Sequence, residues 1–224
     1  MTLWRQSKEV MRVDLLVEQR IGDAFRIVLP FAVVAMMIFS LAIPASFSDV
    51  GEIGAPVFWA VAVLYGMQVA LRTSVSETEQ RRDISMLLGL DPAARFIGRS
   101  MAAALLVVGF MAVLLAAMVL LFDPDLPSGW FGPTALAVLL AAGGLAMLAT
   151  LAGEVASGLR NQSALASLII APLVIPIVVG ASQAVESIAT KEGILIWILL
   201  LITTDLALLV AGVGLSRPLE EASR

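Results

Sequence analysis

Asp205 is the strongest candidate for chemistry in this chain, because it lies deep within an apolar segment, flanked by Thr203 and Thr204. An ionisable group inside a membrane costs about 3 kcal/mol on insertion scales, so such a residue is a candidate functional site. The alternative is a protonated acid that hydrogen-bonds to a neighbouring helix, and both interpretations stay open. A second acid, Glu154, ends another apolar segment, where we expect a solvated side chain.

The chain contains no histidine and no cysteine, which removes most enzyme chemistry. Without histidine it lacks the usual general base, the commonest metal ligand and the usual axial ligand of haem iron. A single intramembrane acid cannot form an aspartyl pair, so an intramembrane enzyme is disfavoured. Tyr65 and the ten methionines are the remaining side chains that could ligate haem iron, and methionine usually serves packing. We therefore expect no catalytic, metal-binding or cofactor-binding residues.

A nucleotide site is also absent from the sequence. No G-x-x-x-x-G-K-[ST] pattern occurs, and Gly98-Arg99-Ser100 lacks both the upstream glycine and the lysine. If the protein works as a transport machine, its ATP must be bound and hydrolysed by a partner protein.

The elements that position these residues are predicted to be membrane-spanning helices. Hydrophobic residues make up 60% of the chain, charged residues 14%, and the mean hydropathy is +0.98. Soluble domains carry roughly a quarter charged residues. A spanning helix needs about 20 apolar residues. Five uncharged windows and a sixth broken only by Asp205 predict an all-α polytopic membrane protein with transmembrane helices over residues 27–46, 55–71, 100–122, 134–153, 164–185 and 194–214.

The distribution of charge predicts the orientation. With the N-terminus inside, the three outer loops hold one basic residue, Lys191, and the other 13 of the 14 lie inside. The same loops hold six acids. The positive-inside rule therefore places both termini in the cytoplasm, and we expect a bacterial cytoplasmic (inner) membrane protein with no nucleic-acid partner.

Two segments outside the spans also have recognisable patterns. Residues 1–23 carry apolar side chains at helical spacing (Val10, Val13, Val17 and Ile21), which predicts an amphipathic helix on the cytoplasmic surface of the lipid bilayer. The long loop over residues 72–99 contains a charged cluster, then an apolar stretch, then Asp91-Pro92, in which the aspartate can cap a second helix returning to the membrane.

Small residues and prolines mark two of the predicted spans. Pro172 and Pro176 each remove a backbone hydrogen-bond donor within the fifth span, and we expect a bend there rather than a moving hinge. Four small residues recur on one face of the fourth span and favour close internal helix packing: Ala142, Ala146, Ala149 and Gly153.

The order of these features along the chain resembles a known family. The charged segment, short apolar helix, Asp-Pro turn and basic start of the third span are similar to the coupling region of ABC-2 type permeases. Three segments resemble motifs of the CcmB family, the haem exporter permeases of cytochrome c maturation. They are Ala55–Trp59, Leu71-Arg72 with the following Glu77…Arg82-Asp83-Ile84, and Ile170–Ile177.

The resemblance implies a membrane component of an ABC transporter-type complex. It implies a CcmA-like ATPase partner in two copies with two of this chain, CcmC-like and CcmD-like haem-handling subunits, and haem as cargo of the complex, not a cofactor of this chain. The coupling helix between spans two and three would contact the ATPase through Glu77, Glu79, Arg81, Arg82, Asp83, Met86, Leu87, Leu90, Asp91 and Pro92. Two alternatives stay open: a general ABC-2 permease for lipid, polysaccharide or drug export, and a structural scaffold for other subunits.

Overall fold

Helices account for nearly all of the chain that is described. The computed structural model describes residues 2–22, 24–42, 50–75, 89–124, 129–158, 163–190 and 193–222. Within these ranges a π-helical turn over Ala24–Val28 and seven α-helices form: α1 (Leu3–Ile21), α2 (Leu29–Ala42), α3 (Val50–Val75), α4 (Pro92–Phe122), α5 (Phe131–Gly158), α6 (Ser163–Thr190) and α7 (Leu195–Ala222). The predicted all-α class is confirmed for these ranges.

Five segments within the described ranges are long and apolar enough to cross a membrane. They are Phe25–Ala42, Ile53–Arg72, Pro92–Phe122, Phe131–Val155 and Leu195–Ser216. These segments correspond to five of the predicted spans. The remaining predicted span, 164–185, lies within α6, whose apolar part as described is the shorter Pro172–Ile188. The chain is therefore a helical membrane protein, and the total of six spans stays a prediction.

The first helix ends at a glycine shortly before the first candidate span. Gly22 follows α1 with φ at 68°, and its N–H donates to the Glu18 carbonyl at 2.6 Å. A glycine in the left-handed region is a common end of a helix. The helix predicted over residues 1–23 is thus present, and its location on the membrane surface stays a prediction.

The start of α4 is the helix that the Asp-Pro pair predicted. Asp91 caps it, its Oδ1 accepting the Ala93 N–H at 3.0 Å, and Pro92 occupies the first turn. Pro92–Phe122 is one helix of 31 residues, so the helix that begins at Pro92 and the third predicted span are one continuous element. The boundary at residue 99 between loop and membrane stays a prediction.

The packed centre of the bundle lies between α3, α4 and α5. Large apolar side chains from all three helices are fully buried there, including Phe58, Phe110 and Leu145. The predicted small-residue face of α5 is part of this centre, since Ala142, Ala146 and Ala149 are each inaccessible to solvent. Internal packing, the role predicted for these alanines, is confirmed.

The outward faces of the bundle are apolar, as a lipid environment requires. Leu41 of α2 and Leu120 of α4 are each 83% exposed, and α7 exposes Leu195 and Val210 to a similar degree. Such surfaces are unfavourable in water but match the hydrocarbon of a bilayer.

Candidate functional site

The end of the α3–α4 loop is joined to the N-terminal helix. Asp91 donates its backbone N–H to Gln6 Oε1 of α1 at 3.2 Å. Asp91, Leu90 and Pro92 are half-buried. The other predicted ATPase-contact residues lie outside the described residues: Glu77, Glu79, Arg81, Arg82, Asp83, Met86 and Leu87.

A second contact brings the backbones of α1 and α4 close together. A methyl group at Gly98 would lie 2.5 Å from the Ser7 carbonyl oxygen and 2.7 Å from Val10 Cβ, so only glycine fits there. Ser7 is fully buried at this contact. The predicted apolar stripe of α1 does not form one buried face, because Val10 contacts α4 whereas Val13 is exposed.

The first turns of α4 are enclosed on nearly every side. Ala93, Ala94, Arg95 and Phe96 are all buried, which is unusual for the end of a helix that follows a long loop. Phe96 has no exposed surface, and its ring lies against the bare backbone of Gly212 in α7. The loop therefore continues into a helix end that is held by both α1 and α7.

The intramembrane acid lies farther along the same helix α7. Asp205 faces the Gly143-Gly144 pair of α5, and a methyl group at Gly144 would lie 2.6 Å from Asp205 Oδ1. The same added group would meet Ile177 of α6 at 3.0 Å. Asp205 is thus placed where α5, α6 and α7 meet.

Asp205 Oδ1 is buried without a hydrogen-bond partner among the described residues. The hypothesis of an acid that hydrogen-bonds to a neighbouring helix gains no support from this oxygen. Thr203 and Thr204 do not compensate, because their hydroxyls donate to the carbonyls of Leu199 and Leu200 in their own helix at 2.7 and 2.8 Å. The two threonine hydroxyls therefore form hydrogen bonds within their own helix and not with the acid.

Other side chains singled out from the sequence fall into structural positions. Glu154 is 9% exposed, so the prediction of a solvated side chain was wrong. Its position near the end of α5 suggested exposure, but the folded chain buries it. Pro172 and Pro176 lie within a continuous α6, so neither breaks the helix, and the bend expected there stays a prediction. Tyr65 packs against the central core.

The residues that make the closest contacts between helices were not predicted from the sequence. No functional motif points to them, and glycines are common in membrane helices. They are Gln6, Phe96, Gly98, Gly144 and Gly212. One signal was available: Asp205 and Gly212 are seven residues apart and share a face of α7, as do Leu201 and Leu208. Which helix that face would meet could not be read from spacing.

Comparison with known proteins identifies the chain at the family level. The sequence model of the CcmB protein family matches residues 5–216, which is nearly the whole chain. A search of curated protein sequences found no match.

The contact between Gly144 and Asp205 predicts a position-specific effect of added volume. We expect Gly144→Ala to destabilise the protein by about 1–3 kcal/mol, because overpacking a closely packed interior costs this much. Gly143→Ala is the matched control, since its added carbon would lie 3.5 Å from Asp205 Oδ2, an ordinary contact distance. Thermal unfolding in detergent checks both variants, and equal midpoints would contradict the assigned packing.

Asp205→Asn tests whether the acid itself is needed. The amide has nearly the same shape, so we expect normal assembly in the membrane. Oδ1 has no hydrogen bond that would give the acid a structural role. We therefore expect the yield of mature cytochrome c to fall. Assembly is measured by co-purification of the other subunits and maturation by covalent haem staining of cytochrome c. Full activity of the variant would show that Asp205 serves packing alone.

Proposed function

We propose that this chain, which belongs to the CcmB family of haem-exporter membrane proteins in cytochrome c maturation, transmits ATP-driven movement from a partner ATPase into the membrane. Members of this family are membrane components of haem export for cytochrome c maturation. Family membership therefore favours this role over general export of lipids, polysaccharides or drugs. ATP-driven movement is the part of the function that we propose.

One observation carries the proposal: the loop end and α1 are fastened to the same two turns of α4. Gln6 holds Asp91, and the Ser7 carbonyl contacts Gly98, so a displacement of the loop or of α1 also displaces α4. Because α4 continues without interruption to Phe122, the displacement is carried along a helix of about 46 Å at 1.5 Å per residue. The chain has no nucleotide-binding loop of its own, so the displacement must come from a partner.

The proposed partners follow from the family and from what the chain lacks. We propose two copies of a CcmA-like ATPase with two of this chain, together with CcmC-like and CcmD-like subunits. Without histidine, this chain cannot offer imidazole to haem iron. Haem in contact with this chain would be held by packing of the porphyrin and not through histidine. We propose that the other subunits handle the haem and that this chain contributes movement.

The proposed ATPase contact is tested by reversing charge in the loop. We expect the double variant Arg81→Glu with Arg82→Glu to insert normally but to lose ATPase co-purification, because repulsion replaces attraction at the interface. Lys191→Glu, on the opposite side in the proposed topology, is the control. An ATPase that still co-purifies with the loop variant would show that the contact was assigned to the wrong residues.

The proposed topology has six spans with both termini in the cytoplasm, and the absence of cysteine makes it testable. Single variants Arg5→Cys, Asn161→Cys and Gly193→Cys report the N-terminus and the two sides of α6. In intact spheroplasts, we expect a membrane-impermeant maleimide to label only Gly193→Cys, and all three after lysis. Labelling of both Asn161→Cys and Gly193→Cys before lysis would mean that α6 does not cross the membrane, and labelling of Asn161→Cys alone would mean that the orientation is reversed.

A further inference from the structure

Phe96 is placed where a movement of the loop would reach a second helix. It lies five residues after Asp91, in the first turns of α4, and has no exposed surface. Its ring occupies the space that a Gly212 side chain would need, so ring and backbone are in direct contact. The ring cannot move toward α7 without moving that helix.

The opposite side of the same helix end is also closed. Gly98, two residues after Phe96, lies against the Ser7 carbonyl and Val10 of α1. Ala93, Ala94 and Arg95 are buried as well, which leaves little free volume around these turns. Closely packed interiors transmit displacement instead of absorbing it. A push on α1 or the loop therefore reaches Gly212 through the ring of Phe96.

The inner face of α7 extends this contact toward the intramembrane acid. Gly212 and Asp205 are seven residues apart on one face, about 10 Å along the helix axis. Leu201 and Leu208 belong to the same buried face. A shift or rotation of α7 at Gly212 would therefore alter the contact of Asp205 with Gly144 and Ile177.

We infer that Phe96 is a positioning residue that couples the α3–α4 loop to α7 through the contact of its ring with Gly212. The inference rests on the proposed ATP-driven function. It adds the route by which the movement leaves α4, and it assigns α7, the helix that carries Asp205, as the element that responds.

The test uses the complete complex with its ATPase and two single-cysteine reporters. Gly89→Cys at the end of the loop, where nothing lies within 4 Å of the added carbon, and Leu195→Cys at the far, exposed end of α7 are each labelled with an environment-sensitive fluorophore. Gly212→Ala introduces a carbon that overlaps the Phe96 ring. Gly214→Ala is the matched control, because nothing lies within 4 Å of the added carbon there. Phe96→Leu combined with Gly212→Ala replaces the ring by a shorter aliphatic side chain and restores space for the added carbon.

We expect ATP to change the Gly89→Cys signal in every variant. At Leu195→Cys, we expect the response to persist with Gly214→Ala, to fall roughly 2- to 30-fold with Gly212→Ala, and to recover in the double variant. ATPase co-purification should stay unchanged, so the loss is one of coupling and not of assembly. If Gly212→Ala fails to accumulate, Phe96→Leu alone should weaken the α7 response.

Two results would overturn the inference: an undiminished α7 response in both Gly212→Ala and Phe96→Leu, or a double variant that responds no better than Gly212→Ala. The proposed function fails differently. If the Gly89→Cys reporter of the otherwise unaltered complex retains its ATPase but does not respond to ATP, then the loop is not driven by ATP, whatever the role of Phe96.

Discussion

Close backbone approach at small residues holds this bundle together, because apolar side chains gain little by leaving lipid for each other. Helices in a membrane associate through van der Waals packing, which requires their surfaces to fit. The three buried alanines of α5 belong to the central apolar cluster, where a short side chain lets neighbouring helices approach closely. At Gly98, Gly144 and Gly212 the neighbouring atoms are so near that any side chain would collide. These contacts join α1, α4, α5, α6 and α7 into a single packed body.

Much of the fold follows from hydropathy and local capping chemistry. The helical class, the positions of five apolar segments and the cap at Asp91 could be predicted, because each depends on residues close together in sequence. The enclosure of the first turns of α4 could not be predicted. A charged residue such as Arg95 favours an exposed helix end, whereas Arg95 and Phe96 are buried where α4 contacts α1 and α7.

The candidate site was predictable only in part, for the same reason. Asp205 stands out in any apolar segment, since an acid there is costly. Its partners do not stand out, because Gly144 and Ile177 are ordinary residues of membrane helices and are brought together only by packing. Glu154 shows the opposite error: position near a helix end predicts exposure only when no neighbouring helix covers that end.

One helix, α7, contacts both the loop end of α4 and the surroundings of the intramembrane acid. Its inner face meets Phe96 of α4 at Gly212, and about two turns away its Asp205 lies beside the Gly143-Gly144 pair of α5. In the proposed mechanism, a partner acts on the charged loop that precedes α4. A chain without histidine, cysteine or a nucleotide-binding loop could contribute to transport in this way, because a rigid helix that links two places lets binding at one alter packing at the other.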